Sequence, residues 1–218
     1  MTQITDRNFA LEYDESFGKY DLIVNLFQLG RDRAHRRQAL KFAGLKKGDT
    51  VLDICCGSGL SFAATEQIIG PEGKIIAIDL NGKMLQLARE RAKKHNWQNI
   101  EFLECDINKL ELSVQADVAL FALCWYDKDM CAQWVKKLGT YLKLGTGSFC
   151  FIDYKYPSNW LHRIADPVLS LLVKWLGEAY SVEDLKWDPM QEIAPLLNEP
   201  RYKAIYLDSL FTLTGKPK

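Results

Sequence analysis

One stretch constrains this chain more than any other: Val51-Leu52-Asp53-Ile54-Cys55-Cys56-Gly57-Ser58-Gly59. It reads as a short buried strand that ends in a carboxylate and breaks into a two-glycine turn. Residues 60–69 then continue in helix-compatible fashion, giving strand, Gly-rich loop and helix. Such a loop brings a ligand's polar atoms up to bare backbone at a helix N-terminus, where unpaired N–H groups wait. It is a cofactor cradle.

The cradle's details narrow its ligand. A dinucleotide fingerprint wants a third glycine, and Phe62 stands there. A nucleoside triphosphate loop wants Gly-Lys-Ser/Thr, whereas the chain has Gly59-Leu60-Ser61. What remains is Asp53, Gly57, Gly59 and a second carboxylate, Asp79, which closes the strand-like run 74–78. An acid there suits the two hydroxyls of a ribose.

In this context Thr50 to Gly59 resembles the first motif of Rossmann-like (class I) S-adenosylmethionine (SAM)-dependent methyltransferases. The resemblance continues in order over residues 44–153. Ile78-Asp79-Leu80-Asn81-Gly82-Lys83-Met84-Leu85 is similar to the ribose motif and Glu104-Cys105-Asp106-Ile107 to the adenine motif. Ala116-Asp117-Val118-Ala119-Leu120-Phe121 is similar to the fourth strand, and Leu142-Lys143-Leu144-Gly145-Thr146-Gly147 to the turn before the fifth. Cys55 departs from the pattern, since the family often has glycine there.

The resemblance implies SAM as cofactor, S-adenosylhomocysteine as product and no metal. It assigns Asp79 and Leu80 to the ribose side, Asp106 and the Ile107 backbone to adenine, and Met84 to adenine contact or core packing. Asp53, Cys55, Gly57, Gly59 and Phe121 then line the cleft, with Asp53 ordering the loop or meeting the amino end of the methionine moiety. An N-terminal helical arm or lid, residues 1–43, would bring Tyr13 or Tyr20 over the cofactor.

Alternating elements argue independently for a parallel sheet wrapped by helices. Strands are expected at 51–55, 74–79, 100–104, 116–122 and 148–153, and helices at 60–69, 82–95 and 128–141. The expected fold is a three-layer α/β, Rossmann-like, seven-stranded, mostly parallel sheet with helices on both faces. Its C-terminal segment, 204–214, would run antiparallel, either as one strand or as a hairpin at Asp208-Ser209. Residues 44–218 form the methyltransferase domain, with an apolar helical insert at about 157–198.

Methyl transfer by in-line displacement needs alignment and exclusion of water rather than a nucleophilic triad. Residues after the fourth and fifth strands are the candidates for the acceptor pocket: Trp125, Tyr126 and Asp127, then Asp153, Tyr154, Lys155 and Tyr156, with Tyr126 and Tyr154 preferred. Residues 160–176 are apolar on more than one side. They must bury against the domain, a second subunit in a homodimer, a hydrophobic acceptor or a membrane surface. Together with Tyr20-Asp21 and Arg31-Asp32-Arg33, this insert resembles phospholipid and betaine-lipid amine methyltransferases, and quinone-ring C-methyltransferases share much of it. The leading expectation is therefore transfer to an amine of a small or lipid-like amphipathic molecule. Carbon or oxygen methylation of a quinone or aromatic ring is the alternative, and a non-catalytic SAM-binding regulator is the reading from another class.

Charge and cysteine usage set outer bounds. The 28 basic and 28 acidic side chains cancel, so no global field recruits nucleic acid. The helix-compatible run 30–41 is dense in cations; it reads either as a solvated face or as a source of arginines for the SAM carboxylate or an anionic acceptor. His35 within it reads as a surface residue. The cysteines at 55, 56, 105, 124, 131 and 150 lie mostly in apolar strand-like runs without a Cys-x-x-Cys pair. Reduced, buried thiols in the cytoplasm are the expectation.

Overall fold

The computed structural model of the chain describes residues 30–124, 128–155, 188–205 and 210–218. A seven-stranded sheet in the order β3-β2-β1-β4-β5-β7-β6 forms its middle layer. The strands are β1 (Thr50–Ile54), β2 (Lys74–Asp79), β3 (Ile100–Glu104), β4 (Val118–Ala122), β5 (Ser148–Tyr154), β6 (Leu197–Ile205) and β7 (Leu210–Pro217). The first five run parallel, while β7 is antiparallel to both β5 and β6.

The helices are α1 (Asp32–Phe42), α2 (Phe62–Ile69), α3 (Gly82–Lys94), α4 (Lys128–Gly139) and the single turn α5 (Pro189–Glu192). Successive residues of a strand face opposite sides, so both faces of a central strand must be apolar when helices cover both. Val51 faces Ala39 and Leu40 of α1 and Phe62 of α2, while Leu52 and Ile54 join Trp134 and Leu138 of α4 on the other side. Asn81 caps α3 by accepting the Lys83 and Met84 N–H groups, as its position before an amphipathic run leads one to expect.

The C-terminal region differs from the expected pattern in detail. Strand begins at Leu197 rather than at 204, inside the expected insert, and the end of the chain forms two antiparallel strands, as the hairpin alternative requires. The register explains why: β7 inserts between β5 and β6, with Phe151 opposite Leu213 and Tyr202 also opposite Leu213. Its Phe211 and Leu213 enter the core, and β6 covers the otherwise bare edge, burying Leu197.

Among the described residues no helix is long and apolar enough to cross a membrane. The apolar run 160–176, Tyr13, Tyr20, Trp125, Tyr126, Asp127, Tyr156 and Asp208-Ser209 lie outside the described residues.

Candidate functional site

The carboxyl ends of β1 to β5 bring Asp53, Asp79, Asp106, Cys124 and Asp153 to one edge of the sheet, the edge at which open parallel sheets bind ligands. At its centre the loop after β1 turns on Gly57 and Gly59, with φ of 55° and 78°. Both values fall where a side chain is strained.

The two glycines serve different ends. A Cβ built on Gly57 would meet nothing within 4 Å, so this backbone faces open space. A Cβ on Gly59 would lie 2.3 Å from the Phe62 ring. Phe62 is fully buried and meets Trp97 and Phe102 edge-on. Where a dinucleotide site keeps a third glycine for close helix packing, this chain fills the space with an aromatic ring.

Asp79, the last residue of β2, closes the cradle. Its Oδ2 accepts the Gly57 N–H at 2.8 Å and its Oδ1 accepts the Asn81 N–H at 2.9 Å. Burial raises its pKa, and the N–H groups of Asn81, Gly57 and Leu80 oppose that rise. Each oxygen retains acceptor capacity for a hydroxyl. Leu80 beside it is 70% exposed, an apolar side chain left uncovered at the mouth of the cradle.

Asp53 is only 1% exposed, and its Oδ2 has no hydrogen-bond partner. Burial pushes its pKa up to about 7; the nearby Arg36 pulls it down and Asp79 adds to the rise. An unsatisfied buried carboxylate oxygen is costly, which marks this atom as waiting for a donor. The open backbone at Gly57, the two-sided Asp79 and the orphaned Asp53 oxygen together fit a ligand with ribose hydroxyls and an ammonium group, as SAM has.

Other expected site residues have firm structural roles. Asp106 Oδ1 accepts the Asn108 N–H at 2.8 Å and so caps the short turn Ile107–Lys109. Ile107 and Met84 are buried, at 6% and 9% exposure. Phe121 stacks on Phe151 at 4.8 Å and 14° and is a core residue, so its side chain is not free to line the cleft. Tyr154 is half-buried against the cluster that α1 covers. Its backbone N–H donates to Asp153 Oδ1 at 2.7 Å. Burial lifts the Asp153 pKa to about 7, against the pull of that N–H and of Arg36.

Two expectations about α1 are corrected. The cationic run is not wholly a solvated face, because one of its arginines turns inward. Arg36 is buried, with Nε donating to both oxygens of buried Asp32 at 2.9 and 2.8 Å and Nη1 donating to Ser61 Oγ at 2.8 Å. His35 is buried as well, because it follows the inward face of α1, and burial lowers its pKa.

The Cys55 and Cys124 side chains lie against each other, with Cα atoms 5.7 Å apart. Pairing of β1 with β4 sets their ends side by side, a proximity that sequence spacing does not disclose. Cys56, Cys105, Cys131 and Cys150 are free thiols. Among the described residues no three His, Cys, Asp or Glu side chains gather as a metal site would require.

The sheet order is that of Rossmann-like methyltransferases, and the cradle at its carboxyl edge fits SAM. Comparison with known proteins agrees: a SAM-dependent methyltransferase from Aquifex aeolicus shares the fold, with a TM-score of 0.61 at 21% identity over 82% of this chain and 87% of that one. The chain belongs to the ubiE/COQ5 methyltransferase family, whose family model matches residues 1–123. It is 37% identical to the ubiquinone/menaquinone biosynthesis C-methyltransferase UbiE of Pseudomonas fluorescens, over 80% of this chain and 72% of the relative. A 2-phytyl-1,4-naphtoquinone methyltransferase of Nostoc is 32% identical over 44% of this chain and 42% of its own length.

Proposed function

We propose that this methyltransferase methylates a ring carbon of a reduced quinone rather than an amine. The observation that carries the reading is the 37% identity over most of the chain to a protein named for quinone C-methylation, within a family model that reaches the cofactor loop. It favours the ring alternative over the amine expected first from the apolar insert.

SAM, when bound, supplies an electrophilic methyl group on a sulfonium. Asp79 accepts the ribose hydroxyls while its N–H ties hold Gly57 in the open conformation. Asp53 pairs its unsatisfied oxygen with the cofactor's ammonium. Leu80 and Met84 supply apolar contact to adenine, and Asp106 with the Ile107 backbone borders its edge. Tyr20 and Tyr126 are assigned to cofactor and acceptor by the resemblance alone.

A hydroquinone ring carbon becomes a competent nucleophile as the neighbouring phenol loses its proton. Asp153, at the end of β5 with a pKa raised to about 7, is suited to take that proton near neutral pH. Tyr154, which packs toward the α1 side, borders the same strand end. Peripheral membrane contact through residues 160–176 belongs to the same proposal, since a quinone with a lipid tail arrives from a bilayer; a homodimer contact is the competing use of that run.

Incubation with methyl-labelled SAM, a demethylated naphthoquinol and a lipid amine tests the reading. Label on a ring carbon, located by proton and carbon shifts, supports it; label only on nitrogen would return the amine reading to first place.

A further inference from the structure

Helix α1 crosses its face of the sheet from the amino edge to the carboxyl edge. At one end the Ser148 hydroxyl, at the start of β5, donates to the Ala43 carbonyl at 2.7 Å. At the other, Arg36 Nη1 donates to Ser61 Oγ at 2.8 Å, just beyond the cofactor loop. The helix therefore runs opposite to the strands, and from Ala43 back to Arg36 it rises about 10 Å toward the ligand edge. Val51 of β1 packs with Ala39 and Leu40 of α1. Asp53 shares that face of β1, because alternate residues point the same way, and Arg36 lies one helical turn before Leu40. Asp53 and Arg36 thus repeat the pairing of Val51 and Leu40 one step nearer the ligand edge. Both are buried, at 1% and 3% exposure.

Few charges act around Asp53. Arg36 draws its pKa down against burial, while Asp79 of β2 drives it up. Cys56 of the loop, held as a neutral thiol by burial, faces both carboxylates and Arg89 of α3. Arg36 also acts on Asp153 of β5. His35 beside it on α1, its pKa lowered by burial and by Arg31 against Asp32, is neutral near pH 7. Arg36 Nε is seated on both oxygens of Asp32, and Asp53 Oδ2 has no hydrogen-bond partner. The guanidinium therefore acts on that oxygen through its field and leaves it open to a donor.

We propose that Arg36 is a positioning residue for the cofactor: its guanidinium, seated by Asp32 and Ser61 over the carboxyl end of β1, keeps Asp53 ionised to receive the cofactor's ammonium. The inference rests on the SAM reading of the cradle and on the ammonium contact of Asp53, and adds the residue that maintains this contact near neutral pH.

S-adenosylhomocysteine would be titrated into the full chain by calorimetry between about pH 5.5 and 8.5. Methylthioadenosine, which has the ribose and adenine but no ammonium, would be titrated beside it. Neither needs a methyl acceptor, so the quinone assignment does not enter. In the wild type, S-adenosylhomocysteine affinity should fall as pH drops below about 7, and methylthioadenosine affinity should stay level. Arg36→Met should move the midpoint up by about one pH unit, which makes S-adenosylhomocysteine binding about fivefold weaker at pH 7 but less than about twofold weaker at pH 8.5. Arg36→Lys, which keeps the charge, should restore the wild-type midpoint. Asp32→Asn combined with Arg36→Met leaves no buried carboxylate without its cation, and carries the same test if the single variant unfolds.

Weakening that is equal at every pH, or shared by methylthioadenosine, would give Arg36 a purely structural role and overturn the inference. A midpoint unmoved in the Met variants would overturn it while leaving Asp53 on the ammonium. S-adenosylhomocysteine binding without a pH step in the wild type would take Asp53 off the ammonium and the inference with it. Binding of neither compound would overturn the SAM reading itself.

Discussion

The Asp79 carboxylate accepts the Gly57 N–H at 2.8 Å, joining the end of β2 to the turn after β1. In the proposed site the same side chain also meets the ribose. Removing it strips two backbone N–H groups of their partner and, on that reading, the ribose of its acceptor. Asp79→Ala is expected to weaken S-adenosylhomocysteine binding by a factor of about ten or more, on the scale of about 1.5–3 kcal/mol for a hydrogen bond to a charged group. Calorimetric titration checks it, and unchanged affinity would remove Asp79 from the ribose.

Gly59 is held to glycine by Phe62. Gly59→Ala places a methyl group 2.3 Å from the ring and in a backbone region of φ 78°. Overpacking and the left-handed backbone together should cost about 2–4 kcal/mol of stability. Urea unfolding measures the loss, and Gly59→Ala combined with Phe62→Leu should recover the packing share while leaving the backbone share.

The buried Arg36 pins α1 to the start of α2. Arg36→Ala removes the Nε donor from both oxygens of buried Asp32 and the Nη1 donor from Ser61. Breaking one side of a buried pair costs about 3–5 kcal/mol. Thermal and urea denaturation should both show it, whereas the exposed Arg33→Ala should stay within about 0.5 kcal/mol of wild type.

Asp53 and Asp153 tie stability to pH. Burial lifts both to about 7 from an ordinary carboxylate value near 3.8, so between those values the folded protein holds protons that the unfolded chain has lost. Stability from this source falls as pH rises from about 4 to about 7 and then levels. The penalty is on the order of 4 kcal/mol for each group at most. Unfolding at pH 5 and pH 8 should show the drop, and Asp53→Asn should flatten part of it. An equally steep profile in the variant would place the titration elsewhere.

Asp153 as proton acceptor gives a kinetic signature. With the quinol acceptor, kcat/KM should rise with pH through an apparent pKa near 7. Asp153→Asn should lower kcat by about a hundredfold or more, with KM for SAM little changed. A rate that stays flat with pH in the wild type would rule out this carboxylate as the base.

Much of this was written locally in the chain. The short apolar run into Gly57 and Gly59, the carboxylates closing β1 and β2, and Asn81 ahead of α3 are short-range signals, and each reappears in the fold where the sequence places it. Phe62 in place of a third glycine argues against a dinucleotide from the sequence alone, though only the packed ring shows that Phe62 itself is why Gly59 must be glycine. Partners separated by long stretches of chain were beyond reach. Arg36 turns inward because Ser61 and the strand ends lie beneath α1, although its neighbours Arg33 and Arg37 are exposed. Cys55 and Cys124, 69 residues apart, meet because β1 and β4 are neighbours in the sheet, while β7 slips between β5 and β6 to protect an edge. Local pattern fixes which elements form, since propensity and capping act over a few residues. Which side chains share a buried site follows from sheet order and register, and those exist only once the strands have paired.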